Sequence, residues 1–291
     1  MLPLAPFFTA FPVAYLVTVL LLGLIIGSFL NVVIHRLPVM LERDWRDQCR
    51  ELAGKPVKRR EAYNLVVPRS QCPSCGHRIS AVENIPLLSY AWLRGKCKGC
   101  GKHISLRYPI VELVTGLLSL AIAAHFGVTA AAMGGLLLTW ALIALTFIDY
   151  DHQLLPDNLT LPLLWLGLVF NLNDMYVPIA SAVVGAMAGY ISLWLVYQLF
   201  KAVTGREGMG YGDFKLFAAL GAWLGWQQLP LIILLSSFVG ATVGIAAILL
   251  LKRDRGVPIP FGPFLCVAGW VALLWGDTIT RAYLQFARFY G

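Results

Sequence analysis

Gly208-Met209-Gly210-Tyr211-Gly212-Asp213-Phe214-Lys215 is a glycine-dense turn that ends in one carboxylate, and an apolar run to about Trp226 follows at once. Glycine lets a second backbone approach closely, because no Cβ stands in the way. Sixty-four positions earlier (213 minus 149), Phe147-Ile148-Asp149-Tyr150-Asp151 ends another apolar run. One acid therefore closes an apolar segment and the other opens one. This arrangement organises the rest of the chain.

Working outward, the apolar runs dominate. Of 291 residues, 58% are hydrophobic and only 13% charged, against about 25% charged in an ordinary soluble domain. A bilayer-spanning helix needs about 20 apolar residues. Such runs are read at about 13–34, 110–126, 131–148, 159–172, 178–200, 214–226, 229–251 and 259–275. The sixth is short for a full crossing. The expected fold is an all-α polytopic membrane protein of about eight transmembrane helices. No Lys or Arg precedes Arg36, so the first run lacks the basic flank of a cleaved signal peptide and is expected to remain. No internal repeat or low-complexity segment is visible.

The one long polar stretch follows the first run. It holds 15 of the 23 Lys and Arg residues, between Arg36 and Arg107. The formal net charge of +8 is therefore read as positive-inside bias and not as a nucleic-acid surface. With this stretch in the cytoplasm, 21 of the 23 basic residues fall inside, including Lys252, Arg253 and Arg255; only Arg281 and Arg288 fall outside. Asp149 and Asp213 then reach the same, inner, face. The chain divides into a first helix (1–36), a cytoplasmic module (37–107) and a membrane core (108–291).

Within the module stand Cys72-Pro73-Ser74-Cys75-Gly76 and Cys97-Lys98-Gly99-Cys100-Gly101. Thiolates on two tight Cys-x-x-Cys-Gly turns satisfy the tetrahedral demand of Zn²⁺. Four cysteines leave no open coordination position, so the metal is structural, and the module should unfold without it. His77 and His103 read as surface residues, since the Cys₄ set is already complete. Cys49 and Cys266 have no partner pattern.

Three further polar groups lie near span ends. Asn31, His35 and Arg36 follow Gly27-Ser28 at the end of the first run, either as an interfacial anchor with a snorkelling arginine or as a polar face that meets substrate. Glu112, soon after Pro109, reads either as a charge at a helix N-terminus or as a charge near the active site. Asp157 or Asn158 reads as a cap after the helix-breaking Pro156.

The chemistry follows from the paired acids. Two carboxylates brought together share one proton. One can then act as base on a water while the other donates to the carbonyl oxygen of a peptide. Asp151 and Asp157 compete with Asp149 on spacing alone, and Asp213 could instead be a helix cap.

With these residues in view, the chain resembles the bacterial prepilin peptidases, or type IV leader peptidases. The resemblance rests on Gly27-Ser28-Phe29-Leu30-Asn31-Val32, the two cysteine knuckles, Arg107-Tyr108-Pro109 with Glu112, the turn from Asp149 to Asp157, and Gly210-Tyr211-Gly212-Asp213. It implies that Asp149 and Asp213 are the catalytic pair. It implies an inner-membrane enzyme whose active site and zinc module face the cytoplasm. The implied substrates are prepilins and pseudopilins, cut after a glycine behind a short basic leader. It further implies N-methylation of the new terminus with S-adenosylmethionine, and partners in pilus assembly or type II secretion. No Rossmann glycine fingerprint marks the methyl-donor site. Two other classes stay open on the residues alone: a transporter and a non-catalytic membrane scaffold of a pilus or secretion machine.

Overall fold

The structure is a computed structural model, and it describes residues 5–56, 61–251 and 259–290. The basic cluster at Lys252, Arg253 and Arg255 lies outside the described residues, as do Lys58, Arg59 and Arg60. Eight long helices stand where the eight apolar runs were read: α1 (Pro12–Leu52), α2 (Arg107–Phe126), α3 (Ala130–His152), α4 (Asp157–Asn171), α5 (Ile179–Thr204), α6 (Tyr211–Leu224), α7 (Leu229–Leu251) and α8 (Gly262–Tyr290). Among the described residues there is no β-strand, only the isolated bridges Gln71–Arg78 and Lys96–His103. Among the described residues, six helices can cross a membrane by length and composition; α4 and α6 fall short of that. At 15 and 14 residues they reach only ~22 Å, against ~30 Å of hydrocarbon.

The chain forms two compact units, Met1–Val128 and Thr129–Gly291. In the first, α1 runs past the expected end of the span, through Pro38, to Leu52. Residues 41–52 are rich in Leu, Glu, Arg and Gln, all strong helix formers, so the charged stretch continues the helix. Glu42 and Arg46 pair one turn apart at 2.5 Å, as helix spacing allows. Helix α1 packs on α2 along small residues. A Cβ on Gly23 would stand 2.9 Å from the Cα of Gly116, and one on Gly27 would stand 2.7 Å from the Cα of Glu112. Backbones come this close in membranes only where side chains are small.

In the second unit, α6 is the centre. Every residue from Asp213 to Leu224 except Lys215 is buried, as expected of a helix that is apolar all round. Helices α4, α5 and α8 pack on it. Gly185 and Gly189 of α5 face it. A Cβ on Gly185 would overlap the carbonyl oxygen of Gly221, and one on Gly189 would stand 2.7 Å from that of Phe217. The indole nitrogen of Trp223 donates to the Leu163 carbonyl (2.8 Å). The far end of α6 is closed by buried Asn171. Its amide donates to the carbonyls of Ala222 (2.9 Å) and Trp223 (3.1 Å), and its oxygen accepts from the amides of Tyr176 and Val177. A polar side chain inside an apolar bundle is tolerated because all its groups are paired.

Candidate functional site

The glycine turn delivers Asp213 as the third residue of α6, with Gly210 at the N-cap. Its backbone amide donates to the Gly210 carbonyl at 3.2 Å. The N-cap residue itself, Gly210, has no side chain to cap with. Asp213 is 8% exposed, and its Oδ1 is buried with no hydrogen-bond partner among the described residues. Asp213 therefore retains an unspent acceptor, Oδ1.

Asp149 sits in the last turn of α3, 5% exposed. The helix ends three residues later, at His152, because Gln153 turns left-handed (φ 51°) and closes back on the Asp149 carbonyl (2.9 Å). The Asp149 Oδ2 accepts from the Gly262 amide at 3.0 Å. That amide is one of the orphan donors at the start of α8.

Leu155 joins the two acids' surroundings. A Cβ on Gly212 would meet the Leu155 Cβ at 2.7 Å. A Cβ on Gly262 would stand 2.6 Å from Asp149 Oδ2 and 3.1 Å from a Leu155 methyl. Both glycines are thus required by close approach, and Asp149 and Asp213 lie within electrostatic range of each other. Asp151 and Tyr150 are exposed instead. Asp157 is the first residue of α4, after Pro156 at the N-cap. Both its oxygens accept from Lys215 Nζ at 2.7 Å, tying the start of α4 to the first turn of α6.

In the N-terminal unit the four cysteines converge. Their Sγ atoms all lie within 4.8 Å of one another, with Cys72–Cys100 at 4.0 Å and Cys75–Cys97 at 3.9 Å. A zinc tetrahedron with 2.3 Å bonds has edges of about 3.8 Å, so the cluster fits a structural zinc. The two knuckles are a local repeat, offset by 25 residues (97 minus 72), that the sequence reading did not register. Cys72 and Cys97 each donate their amide to a carbonyl five residues on. Gly76 and Gly101 donate back to Cys72 and Cys97. Both glycines have positive φ, 71° and 69°, a conformation a side chain disfavours.

His77 is not a ligand; its Nε2 lies 3.2 Å from Glu83 Oε2. Glu83 also accepts from the Ser80 amide and faces Lys98. The Ser80 amide first, then His77 and Lys98, hold its carboxyl well below the usual range, at about 2.

Three further polar residues found partners that the sequence did not announce. Glu112 is buried and accepts from the Leu87 amide (2.9 Å), so it serves a loop and not a helix end. Leu87 holds a positive φ of 60° there. Asn31 donates to the carbonyls of Gly27 and Tyr108. Arg36 does not snorkel. It is buried at 8% exposure, donates to the Asn64 carbonyl (2.9 Å) and lies near the Tyr63 ring. The Gly262 amide and the Lys215–Asp157 pair were also missed. The turn Pro260-Phe261-Gly262-Pro263 was the only available signal for the former.

Fold and site together define a class: a polytopic helical membrane protein with two buried carboxylates at neighbouring helix ends and a separate thiolate cluster. Comparison with known proteins narrows this. Residues 21–126 match the family model described as the bacterial peptidase A24 N-terminal domain, and residues 136–245 match the type IV leader peptidase family. The chain is 60% identical over 277 residues to a prepilin leader peptidase/N-methyltransferase of Aeromonas salmonicida, covering 94% of this chain and 95% of that protein. Proteins of the same name from Stutzerimonas stutzeri (58% over 283 residues, 97% and 98% covered) and Pseudomonas aeruginosa (57% over 289 residues, 99% and 100% covered) are similar to it. No solved structure matches significantly. The chain belongs to the type IV leader peptidase family.

Proposed function

We infer that this chain is a membrane-embedded aspartic endopeptidase that cuts prepilins and pseudopilins after a glycine, and an N-methyltransferase that modifies the new N-terminus. The observation that carries the peptidase reading is the pairing of buried Asp149 and Asp213, with Oδ1 of Asp213 unpartnered. Asp149 and Asp213 form the catalytic pair. With one proton shared between them, one carboxylate takes a proton from the attacking water while the other protonates the peptide carbonyl. The Gly262 amide holds Asp149 in place, and the glycines at 208–212 leave room for an extended peptide backbone.

Cys72, Cys75, Cys97 and Cys100 hold a structural zinc that shapes the module of residues 37–107. S-adenosylmethionine supplies, when bound, a methyl carbon whose bond to sulfur breaks as its bond to the amine nitrogen forms, the amine proton passing to water. The module and both aspartates face the cytoplasm from the inner membrane, on the side of the basic residues. Pilus assembly or type II secretion machinery takes up the product.

Mass spectrometry of a purified prepilin incubated with the protein tests this. The expected product is shortened at the glycine, and is heavier by one methylene, ~14 Da, only when S-adenosylmethionine is present. Shortening without added mass removes the transferase half. An intact substrate, given folded and zinc-loaded protein, removes the peptidase half.

A further inference from the structure

The transferase half of this reading needs a place for S-adenosylmethionine, and neither the aspartates nor the closed Cys₄ cluster offers one. Such a ligand carries a carboxylate, an ammonium and a sulfonium, with a ribose diol and an adenine. It needs a donor fork for its carboxylate, an acidic acceptor for its ammonium and an apolar wall. Two grooves in the N-terminal unit are large enough to consider. One, of about 430 Å³, is walled by Ile25, Phe29, Val32, Ile85 and Pro86 and has no ionisable side chain on it. The other, of about 640 Å³, lies between the cytoplasmic extension of α1 and the segment 61–68. It is lined by Arg43, Arg46, Glu61, Tyr63, Val67 and Pro68, and its volume is within the ~300–1,000 Å³ usual for small-molecule sites.

The second groove is built rather than incidental. Arg43 sits over the Tyr63 ring, 4.1 Å from its centroid, so its guanidinium is held by cation–π attraction. Buried Arg36 fastens the segment by donating to the Asn64 carbonyl. Asn64 Oδ1 in turn accepts from the amides of Val66 (2.8 Å) and Val67 (2.7 Å), which fixes the turn that presents Val67 and Pro68. Arg36, Arg43 and Arg50 recur every seven residues and so share one face of α1. Arg50 has a buried Nη1 with no partner among the described residues. Arg43 lies seven residues beyond Arg36, ~10 Å along the helix axis, which puts the groove in water and within reach of a soluble ligand.

We propose that this groove binds S-adenosylmethionine, an inference that rests on the N-methyltransferase reading above. The guanidiniums of Arg43 and Arg46 take the methionyl carboxylate, for which their planar fork is matched. Glu61 accepts from the methionyl ammonium, and the adenine lies on Val67 and Pro68. Both signs face the groove, Arg43 and Arg46 beside Glu61, as a ligand with a carboxylate and an ammonium on one carbon requires and a purely anionic headgroup does not.

The test uses the full chain, zinc-loaded and in detergent, with S-adenosylhomocysteine as calorimetric probe and ultraviolet cross-linking of S-adenosylmethionine as a map. Arg43→Ala and Arg46→Ala should each weaken binding about tenfold or more, the worth of a charge-assisted bond to a carboxylate, with zinc content unchanged. Arg43→Lys should fall between, since it keeps charge without the fork. The cross-link on the wild-type chain should map to Arg43 or to 61–68, a readout that needs no variant to fold. Wild-type affinity in both alanine variants, or a label that maps elsewhere, overturns the site. A wild-type chain that binds no probe overturns the transferase reading itself.

Discussion

The region between α1 and α2 and the helix α6 are held by opposite means. From residue 39 to residue 106 no described hydrophobic side chain is buried. Order there comes from two knuckles of backbone hydrogen bonds, four thiols aimed at one point, and the fastenings at Arg36, Glu83 and Glu112. Helix α6 is enclosed by α4, α5 and α8 with almost every residue buried. A small polar module lacks the apolar area to fold on burial alone and needs a staple. A central helix in a bilayer gains nothing from excluding lipid and depends on close packing. The cysteine module is therefore organised by thiols placed to share one ligand-binding point, and the aspartate site by steric fit.

The largest effect expected from this contrast follows metal removal. Structural zinc in small domains is worth ~10–16 kcal/mol of apparent binding energy. A strong chelator should therefore abolish hydrogen-exchange protection at the amides of Cys72, Gly76, Cys97 and Gly101 and leave residues 214–224 protected. Loss of protection in both regions would break the contrast.

Next in size, Asp149→Asn or Asp213→Asn should lower prepilin cleavage by about 10²–10⁴-fold, the usual worth of a positioned acid or base, with membrane insertion and zinc content intact. Near wild-type turnover in either variant would remove the pair as the reaction centre.

Gly185→Val tests the steric half. Its side chain would strike the Gly221 carbonyl, and overpacking costs ~1–3 kcal/mol. A lower midpoint in thermal unfolding of the C-terminal unit is expected, with zinc retained; an unchanged midpoint would show that α5 and α6 can separate freely.

Smaller still is the Lys215–Asp157 pair, whose side chains are 27% and 51% exposed. Exposed pairs contribute about 1 kcal/mol or less. Lys215→Met should reduce cleavage or stability only modestly, and exchanging the two charges should restore much of the loss. If the exchange restores none, the pair does not join α4 to α6 electrostatically.

The mildest effect concerns Glu83. Its folded pKa of about 2 lies below its ordinary value of 4.5. Its stabilisation is therefore complete above the ordinary value and disappears as pH falls towards 2. Glu83→Gln should flatten the module's acid sensitivity in that window, read by tryptophan fluorescence from Trp92; an unaltered acid profile would leave Glu83 without a part in it.

Much of this was legible in the residues. Apolar runs long enough to cross a bilayer announce helices because the backbone has no other partner in hydrocarbon. Cys-x-x-Cys-Gly announces a metal knuckle because few other arrangements bring thiolates together with so little strain. Gly210-Tyr211-Gly212-Asp213 marked a close approach before its partner was known. The end of α1 was misjudged, because Pro38 and the charges after it look like a boundary while 41–52 are good helix formers.

Local chemistry thus determined the helices, the thiolate cluster and the two acids as candidates. Only the tertiary structure decided that Asp149 faces the Gly262 amide, that Leu155 lies against both glycines, that Lys215 meets Asp157 58 residues away, and that Arg36 turns inward to Asn64. These are contacts between positions distant in sequence, set by which small residues let two backbones meet. No local pattern records that choice, because it belongs to the pair of surfaces and not to either one.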